Sequence, residues 1–233
     1  MIGSPVSLPL RDGVELSGLL WTPNGPGPFP ALLMRQPYGA RISSTVVYAH
    51  PSWYAQQGYL VLVLDVRGRG DSGGEFSGFA SEATDGDDAL AWLNAHPLCN
   101  GRVGSYGFSY QGLTQLLGTD TNLQPDALAP AMCGLDERLH WASEGGAHWW
   151  VLSLSWGLQL AAESCRRRGD QHAWQAIKDC LAGAQQSRHG LALLKQHDSN
   201  NPVLQWLQND PSQAAEWACH QPTPERLRRP MQL

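Results

Sequence analysis

The run Arg102-Val103-Gly104-Ser105-Tyr106, Gly107-Phe108-Ser109-Tyr110-Gln111-Gly112, Leu113-Thr114-Gln115-Leu116-Leu117 reads as strand, sharp glycine turn and helix, with Ser109 at the tip of the turn. A strand that breaks abruptly into a helix is the repeating joint of α/β sheets, so this segment constrains the fold of the chain more than any other. A serine on such an elbow has its hydroxyl pushed out of the sheet. The amide of the next residue and the helix N-terminus then face any negative charge that forms beside it. A serine hydroxyl is a poor nucleophile until a histidine accepts its proton and a carboxylate orients that histidine. The chemistry of Ser109 therefore depends on its partners.

The segments before the elbow repeat the same theme. Val6–Leu10, Arg11-Asp12-Gly13 and Val14–Leu20 read as a β-hairpin turned at Asp-Gly, and the Pro- and Gly-rich stretch 23–30 reads as a loop. Ala31–Met34 and Leu60–Leu64 are short continuous apolar runs, as expected of strands covered by helices on both faces, with Tyr48–Gln57 as the crossover helix. Thr84-Asp85-Gly86-Asp87-Asp88 places a capping residue and acidic charge ahead of Ala89–Leu93, which suits a helix N-terminus. Asp126–Cys133 is the next expected strand. The expected class is α/β with a mostly parallel sheet, residues 1–135 forming its core.

Beyond Gly134 the pattern changes to helices without intervening strands, read as an all-helical cap over 136–225. Trp141, Trp149, Trp150 and Trp156 cluster at its start. They suit packing of the insertion onto the sheet, and some also suit the aromatic wall of a substrate pocket. The stretch 147–162 falls short of the roughly 20 residues needed to span a bilayer and carries Ser, Gln and Gly, so a buried helix and no membrane association are expected. A net charge of -5 with Arg166-Arg167-Arg168 as the only tight basic run argues against nucleic-acid binding. Five scattered cysteines (Cys99, Cys133, Cys165, Cys180, Cys219) without C-x-x-C spacing suggest neither a disulfide framework nor a zinc site. Met1-Ile2-Gly3-Ser4-Pro5 leads into the hairpin without a basic, apolar signal segment. A cytoplasmic setting and no metal or organic cofactor are the expectations.

Two serines compete as nucleophile. Gly70-Asp71-Ser72-Gly73-Gly74 has the letters of a chymotrypsin-like motif, but it follows a buried strand in a βα pattern, with His50 the only histidine upstream. The stretch Asp65–Gly74 reads better as a tight loop braced by Asp and Arg. Ser109 has strand, glycine turn and helix in the required order.

Several segments together resemble the Xaa-Pro dipeptidyl peptidase-like serine hydrolases, which include cocaine esterase and the α-amino-acid ester hydrolases, all of the α/β-hydrolase fold. The resemblance is carried by Arg11-Asp12-Gly13, Arg35-Gln36-Pro37-Tyr38-Gly39, the loop Asp65–Gly74, Asn100–Gly104 leading to Gly107–Gly112, and Gly145-Gly146-Ala147 opening the Trp-rich helix. It implies that Ser109 is acylated, with an oxyanion hole made by the Tyr38 hydroxyl and the Tyr110 backbone N–H. On the residues alone, a buried tyrosine with a satisfied hydroxyl is an equal reading of Tyr38. The implied substrates are small esters, amides or short peptides.

In that family the carboxylate and histidine follow the cap. Here Arg226–Leu233 looks like the approach to the next core strand, so the resemblance implies truncation before the acid and base. His140, His148, His172, His189, His197 and His220 fall in predicted helices or Pro-flanked loops and read as cap surface or packing, with His148 the best placed to face a pocket. Asp136 reads as a helix cap. An exposed sheet edge would follow, with marginal stability, self-association or pairing with a complementing chain. Two functions remain: a serine hydrolase working through an acyl-enzyme, and a catalytically silent remnant that binds a ligand or pairs subunits.

Overall fold

The computed structural model describes residues 2–42, 48–217 and 220–232; Met1, Cys219 and Leu233 lie outside them. Two units are distinguished, Met1–Cys133 together with Gln221–Leu233, and Gly134–His220. The first is α/β. Its six-stranded sheet consists of β1 (Ser4–Pro9), β2 (Glu15–Trp21), β3 (Phe29–Gln36), β4 (Leu60–Asp65), β5 (Cys99–Phe108) and β6 (Ala127–Ala131), in the order β1-β2-β4-β3-β5-β6. β1 and β2 pair antiparallel, β2 runs antiparallel to β4, and β4-β3-β5-β6 are parallel. All six residues of β4 are buried, as its continuous apolar run requires at the centre of a sheet covered on both faces.

Three helices connect these strands. α1 (Pro51–Gln56) is shorter than the stretch from Tyr48 suggested: Pro51 fits a first helical turn, where no intrahelical N–H is needed, and the His50 ring accepts from the Ser52 N–H. α2 (Glu82–Ala95) starts ahead of Thr84, with Ser81 at the N-cap and no side-chain cap bond. Thr84 therefore does not cap. The acidic residues instead lie in the first two turns, where each meets a partner from a distant segment. Glu82 takes Arg35 at 2.7 Å, Asp85 takes Arg67 at 2.7 Å, and Asp88 takes Arg11 at 2.6 Å. Asp87 accepts from the Thr119 and Asp120 amides, and Arg226 approaches to 3.7 Å.

α3 (Tyr110–Leu116) follows β5 directly. Apolar side chains fill both faces of the sheet, one cluster including Leu33, Leu60, Leu62, Leu90 and Leu93, the other Met34, Val61, Val63 and Tyr106. At the C-terminal end, Met231 makes a single parallel bridge to Leu128 of β6. On the α1 face, β5, β6 and this segment line a groove of about 720 Å³.

The second unit is mainly helical. The expectation of helices without strands is corrected by a two-stranded ribbon, β7 (Ser143–Glu144) with β8 (Ala147–His148). Gly145 and Gly146, at φ 58° and 83°, make its turn instead of opening the helix, because consecutive left-handed residues reverse the chain. α4 (Trp150–Arg168) then buries Leu154, Leu158, Ala161 and Cys165 at helical spacing. It packs against α5 (Gln171–Ala182), α6 (Leu191–His197) and α7 (Pro202–Gln208), while α8 (Pro224–Leu227) belongs to the first unit. Trp141 and Trp156 join Trp206 by ring contacts, whereas Trp149 and Trp150 are exposed. Asp136 caps the turn at 137–142 through its bond from the Leu139 N–H.

Arg35 and Glu82 are both almost fully buried, so removing one leaves the other charged and unpaired in a low-dielectric site. Arg35→Met should lower unfolding stability by about 3–5 kcal/mol in chemical denaturation; a loss under about 1 kcal/mol would show that the pair is not a structural anchor.

Candidate active site

Ser109 occupies the junction of β5 and α3 at φ 59°, ψ -120°, a left-handed backbone that non-glycine residues adopt at a cost of about 1–3 kcal/mol. Two nearby glycines make room for it. A Cβ at Gly107 would meet the Gln111 carbonyl oxygen at 2.7 Å, and one at Gly112 would meet Cys133 Cβ at 2.8 Å and the Ala131 oxygen at 3.1 Å. The Ser109 N–H donates to Ala131 O at 2.8 Å, which ties the turn to β6. The half-buried Ser109 hydroxyl does not cap the helix that it precedes. The neighbouring Cys133 thiol is pushed up to about 11 by burial, so it stays protonated at neutral pH and does not compete as a nucleophile.

Tyr110 is the first residue of α3, a position whose N–H has no acceptor within the helix. Its side chain is fully buried. The ring stacks on Phe79 at 4.3 Å, and the hydroxyl lies 2.8 Å from Gly78 O and 2.9 Å from Glu82 Oε1. Burial, with the Glu82 charge and hydrogen bond, raises the Tyr110 pKa well above the phenolic range, so the hydroxyl stays protonated as a donor. Burial also raises Glu82, while Arg35 and the Tyr110 hydroxyl act in the opposite direction.

Tyr38 follows β3 and is 38% exposed, so it is not the buried tyrosine of the structural reading. The loop that carries Tyr38 is held at both flanking carbonyls: Arg69 Nε donates to Pro37 O at 3.0 Å, and Gln36 Nε2 to Gly39 O at 3.0 Å. Gln111 Nε2 in turn donates to Gln36 Oε1 at 2.9 Å. Both glutamines lie in segments that carry the family resemblance, Arg35–Gly39 and Gly107–Gly112, and nothing in the sequence marks them as partners.

Ser72 has a structural role. Its buried hydroxyl donates to Asp65 O at 2.7 Å and accepts from the Ser17 N–H at 2.8 Å, closing the Asp65–Gly74 loop against β2. Of the histidines in the first unit, His50 caps α1 and His96 accepts from the Leu98 N–H. In the second unit, His220 Nδ1 lies 2.7 Å from Glu137 Oε2. Among the described residues, Cys99, Cys133, Cys165 and Cys180 are free thiols. No cluster of three or more His, Cys, Asp or Glu is placed to hold a metal ion, and no helix is long and apolar enough to cross a membrane, again among the described residues.

The sequence model of the X-Pro dipeptidyl-peptidase (S15) family matches residues 12–231. Cocaine esterase of Rhodococcus sp. is 33% identical over 173 residues, which are 72% of this chain and 30% of that protein. A serine esterase of Mycobacterium bovis is 32% identical over 109 residues, 45% of this chain and 17% of its own length. The chain thus spans less than a third of the length of the curated relatives that it matches. Among solved structures, a CocE/NonD family hydrolase from Staphylococcus aureus superposes with a TM-score of 0.61 at 22% identity, over 69% of this chain and 32% of that one. An α-amino-acid ester hydrolase gives 0.53 at 22%, over 84% and 40%. These structural likenesses show the α/β-hydrolase fold.

The Glu137 hydrogen bond raises the His220 pKa, burial opposes it, and the Glu137 charge adds to it. A raised folded-state value means that the pair stabilises fully below the ordinary imidazole pKa and loses its effect as pH rises through the folded value. An NMR titration should place His220 above the ordinary value of 6.5, and Glu137→Gln should bring it to 6.5 or below. A native His220 that titrates at or below 6.5 would show that the pair is not charged.

Proposed function

The chain belongs to the X-Pro dipeptidyl-peptidase (S15) family, and from that premise we propose that it carries the nucleophile and oxyanion hole of a serine hydrolase acting on a small ester, amide or short peptide. On this reading Ser109 Oγ attacks the substrate carbonyl. The negative charge that develops on the carbonyl oxygen is met by the Tyr38 hydroxyl and the Tyr110 backbone N–H. Collapse of the tetrahedral adduct expels the alcohol or amine and leaves an acyl-Ser109, which water then hydrolyses. The serine proton passes to a histidine oriented by a carboxylate, two residues that follow the cap in this family, and from there to the departing alcohol or amine. The observation that carries this reading is the backbone of Ser109: a non-glycine residue held at φ 59° between a parallel strand and a helix N-terminus. Such strain persists where the surrounding structure over-determines it, and it lifts the hydroxyl out of the sheet.

A second reading has its own support. Both histidines of the unit that contains Ser109 are engaged with backbone N–H groups of their own segments, so neither is available as the base of Ser109. That favours a catalytically silent module, which binds a ligand or pairs with another chain.

A fluorophosphonate probe separates the two. On the hydrolase reading it labels Ser109, labelling is lost in Ser109→Ala, and Tyr38→Phe slows it by about a hundredfold or more, as removal of one oxyanion donor does. No labelling, together with no turnover of a nitrophenyl ester, is the outcome expected of the silent module.

A further inference from the structure

We propose that Gln36 and Gln111 are positioning residues, forming a two-carboxamide strut that fixes the Tyr38 loop relative to the nucleophile elbow. This rests on the reading of Ser109 as nucleophile and Tyr38 as oxyanion donor. The strut begins at Phe108, the residue before Ser109, and ends at Gly39, the residue after Tyr38. The Phe108 N–H donates to Gln111 Oε1 at 3.2 Å, Gln111 Nε2 donates to Gln36 Oε1 at 2.9 Å, and Gln36 Nε2 donates to Gly39 O at 3.0 Å. Both side chains are 1% exposed, so water cannot replace a lost bond without opening the site.

The chemistry at the two ends sets the direction of the strut. Phe108 offers an N–H, so Gln111 must turn its oxygen toward the elbow and its NH₂ toward Gln36. Gln36 must then present its oxygen, which leaves its NH₂ for the Gly39 carbonyl. Flipping either amide would set donor against donor or acceptor against acceptor at both of its contacts. Only one arrangement satisfies the chain, and bonds aligned in this way strengthen one another.

The backbone of Gln36 gives the strut a rigid base. Gln36 is the last residue of β3, stands in register with Asp65 of β4, and accepts from the Val66 N–H at 3.0 Å. Gln111 sits in the first turn of α3, whose neighbouring Tyr110 side chain is locked against Glu82. The strut therefore joins two fixed elements and leaves Tyr38 little freedom to drift. A displacement of about 1 Å at a reacting group can change a rate by about a hundredfold.

The test uses Gln36→Met and Gln111→Met, which keep side-chain length and remove both hydrogen-bonding ends, together with the double variant. Asn201→Leu, which removes a buried carboxamide of the helical unit bonded to Gly157 O and to the Val203 N–H, controls for lost stability. Two measurements are made: hydrogen exchange of the peptide spanning 36–42, and the second-order rate of fluorophosphonate labelling. Each single variant breaks two of the three bonds of the strut and should speed exchange in that peptide by about tenfold or more. Labelling should slow by about ten- to hundredfold, and the double variant should be no worse than the worse single, since one strut is broken either way. Asn201→Leu should leave both readouts near wild type. Unchanged exchange over 36–42 in folded single variants, or losses that add in the double variant, would overturn the proposal. Wild-type protein that fails to label overturns the nucleophile reading, and the exchange data then decide the strut alone.

Discussion

The buried Arg35–Glu82 pair is the interaction on which the rest of the first unit depends. Arg35 is the last residue but one of β3, Glu82 begins α2, and the same guanidinium also donates to the backbone oxygens of Glu82 and Thr114. Three elements that are far apart in sequence are thereby pinned at one end of the sheet. Taking both charges out of water is costly, and the cost is offset by the surrounding hydrogen bonds. Tyr110 supplies one of these to Glu82 Oε1, so the residue after Ser109 is anchored by its side chain as well as by the helix. On the hydrolase reading its backbone N–H is thus fixed before any substrate arrives, which is what electrostatic preorganisation requires.

The strained turn at Ser109 needs that anchoring. A left-handed serine would relax if α3 could shift, and α3 is held by Arg35 at Thr114, by Tyr110 at Glu82 and by Gln115 across to Ala129. The Ser109 N–H bond to Ala131 and the lack of a Cβ at Gly107 and Gly112 complete the support. Energy stored in one residue is balanced by packing and hydrogen bonds spread over many.

Much of this was legible in the sequence because its signals are local. The Asp-Gly hairpin, the apolar β4 run and the glycine-serine-glycine joint each act within a few residues, and each formed the element expected of it. The start of α2 was misplaced because Asp85, Asp87 and Asp88 looked like a capping cluster, whereas their partners Arg67, Arg226 and Arg11 come from distant segments. The ribbon at Ser143–His148 was missed because paired glycines serve equally well as a helix start or a hairpin turn. Gln36 and Gln111 were visible as letters, but their contact depends on β3 and β5 lying side by side, which only the assembled sheet brings about.

On the hydrolase reading, the elbow at Ser109 and the donors at Tyr38 and Tyr110 form one site. A crystal structure of the protein after exposure to a small alkyl fluorophosphonate tests it most directly. The expected adduct has phosphorus bonded to Ser109 Oγ, with a phosphoryl oxygen within hydrogen-bond distance of both the Tyr38 hydroxyl and the Tyr110 N–H. An adduct whose phosphoryl oxygen points away from both groups, or an unmodified Ser109, would contradict it.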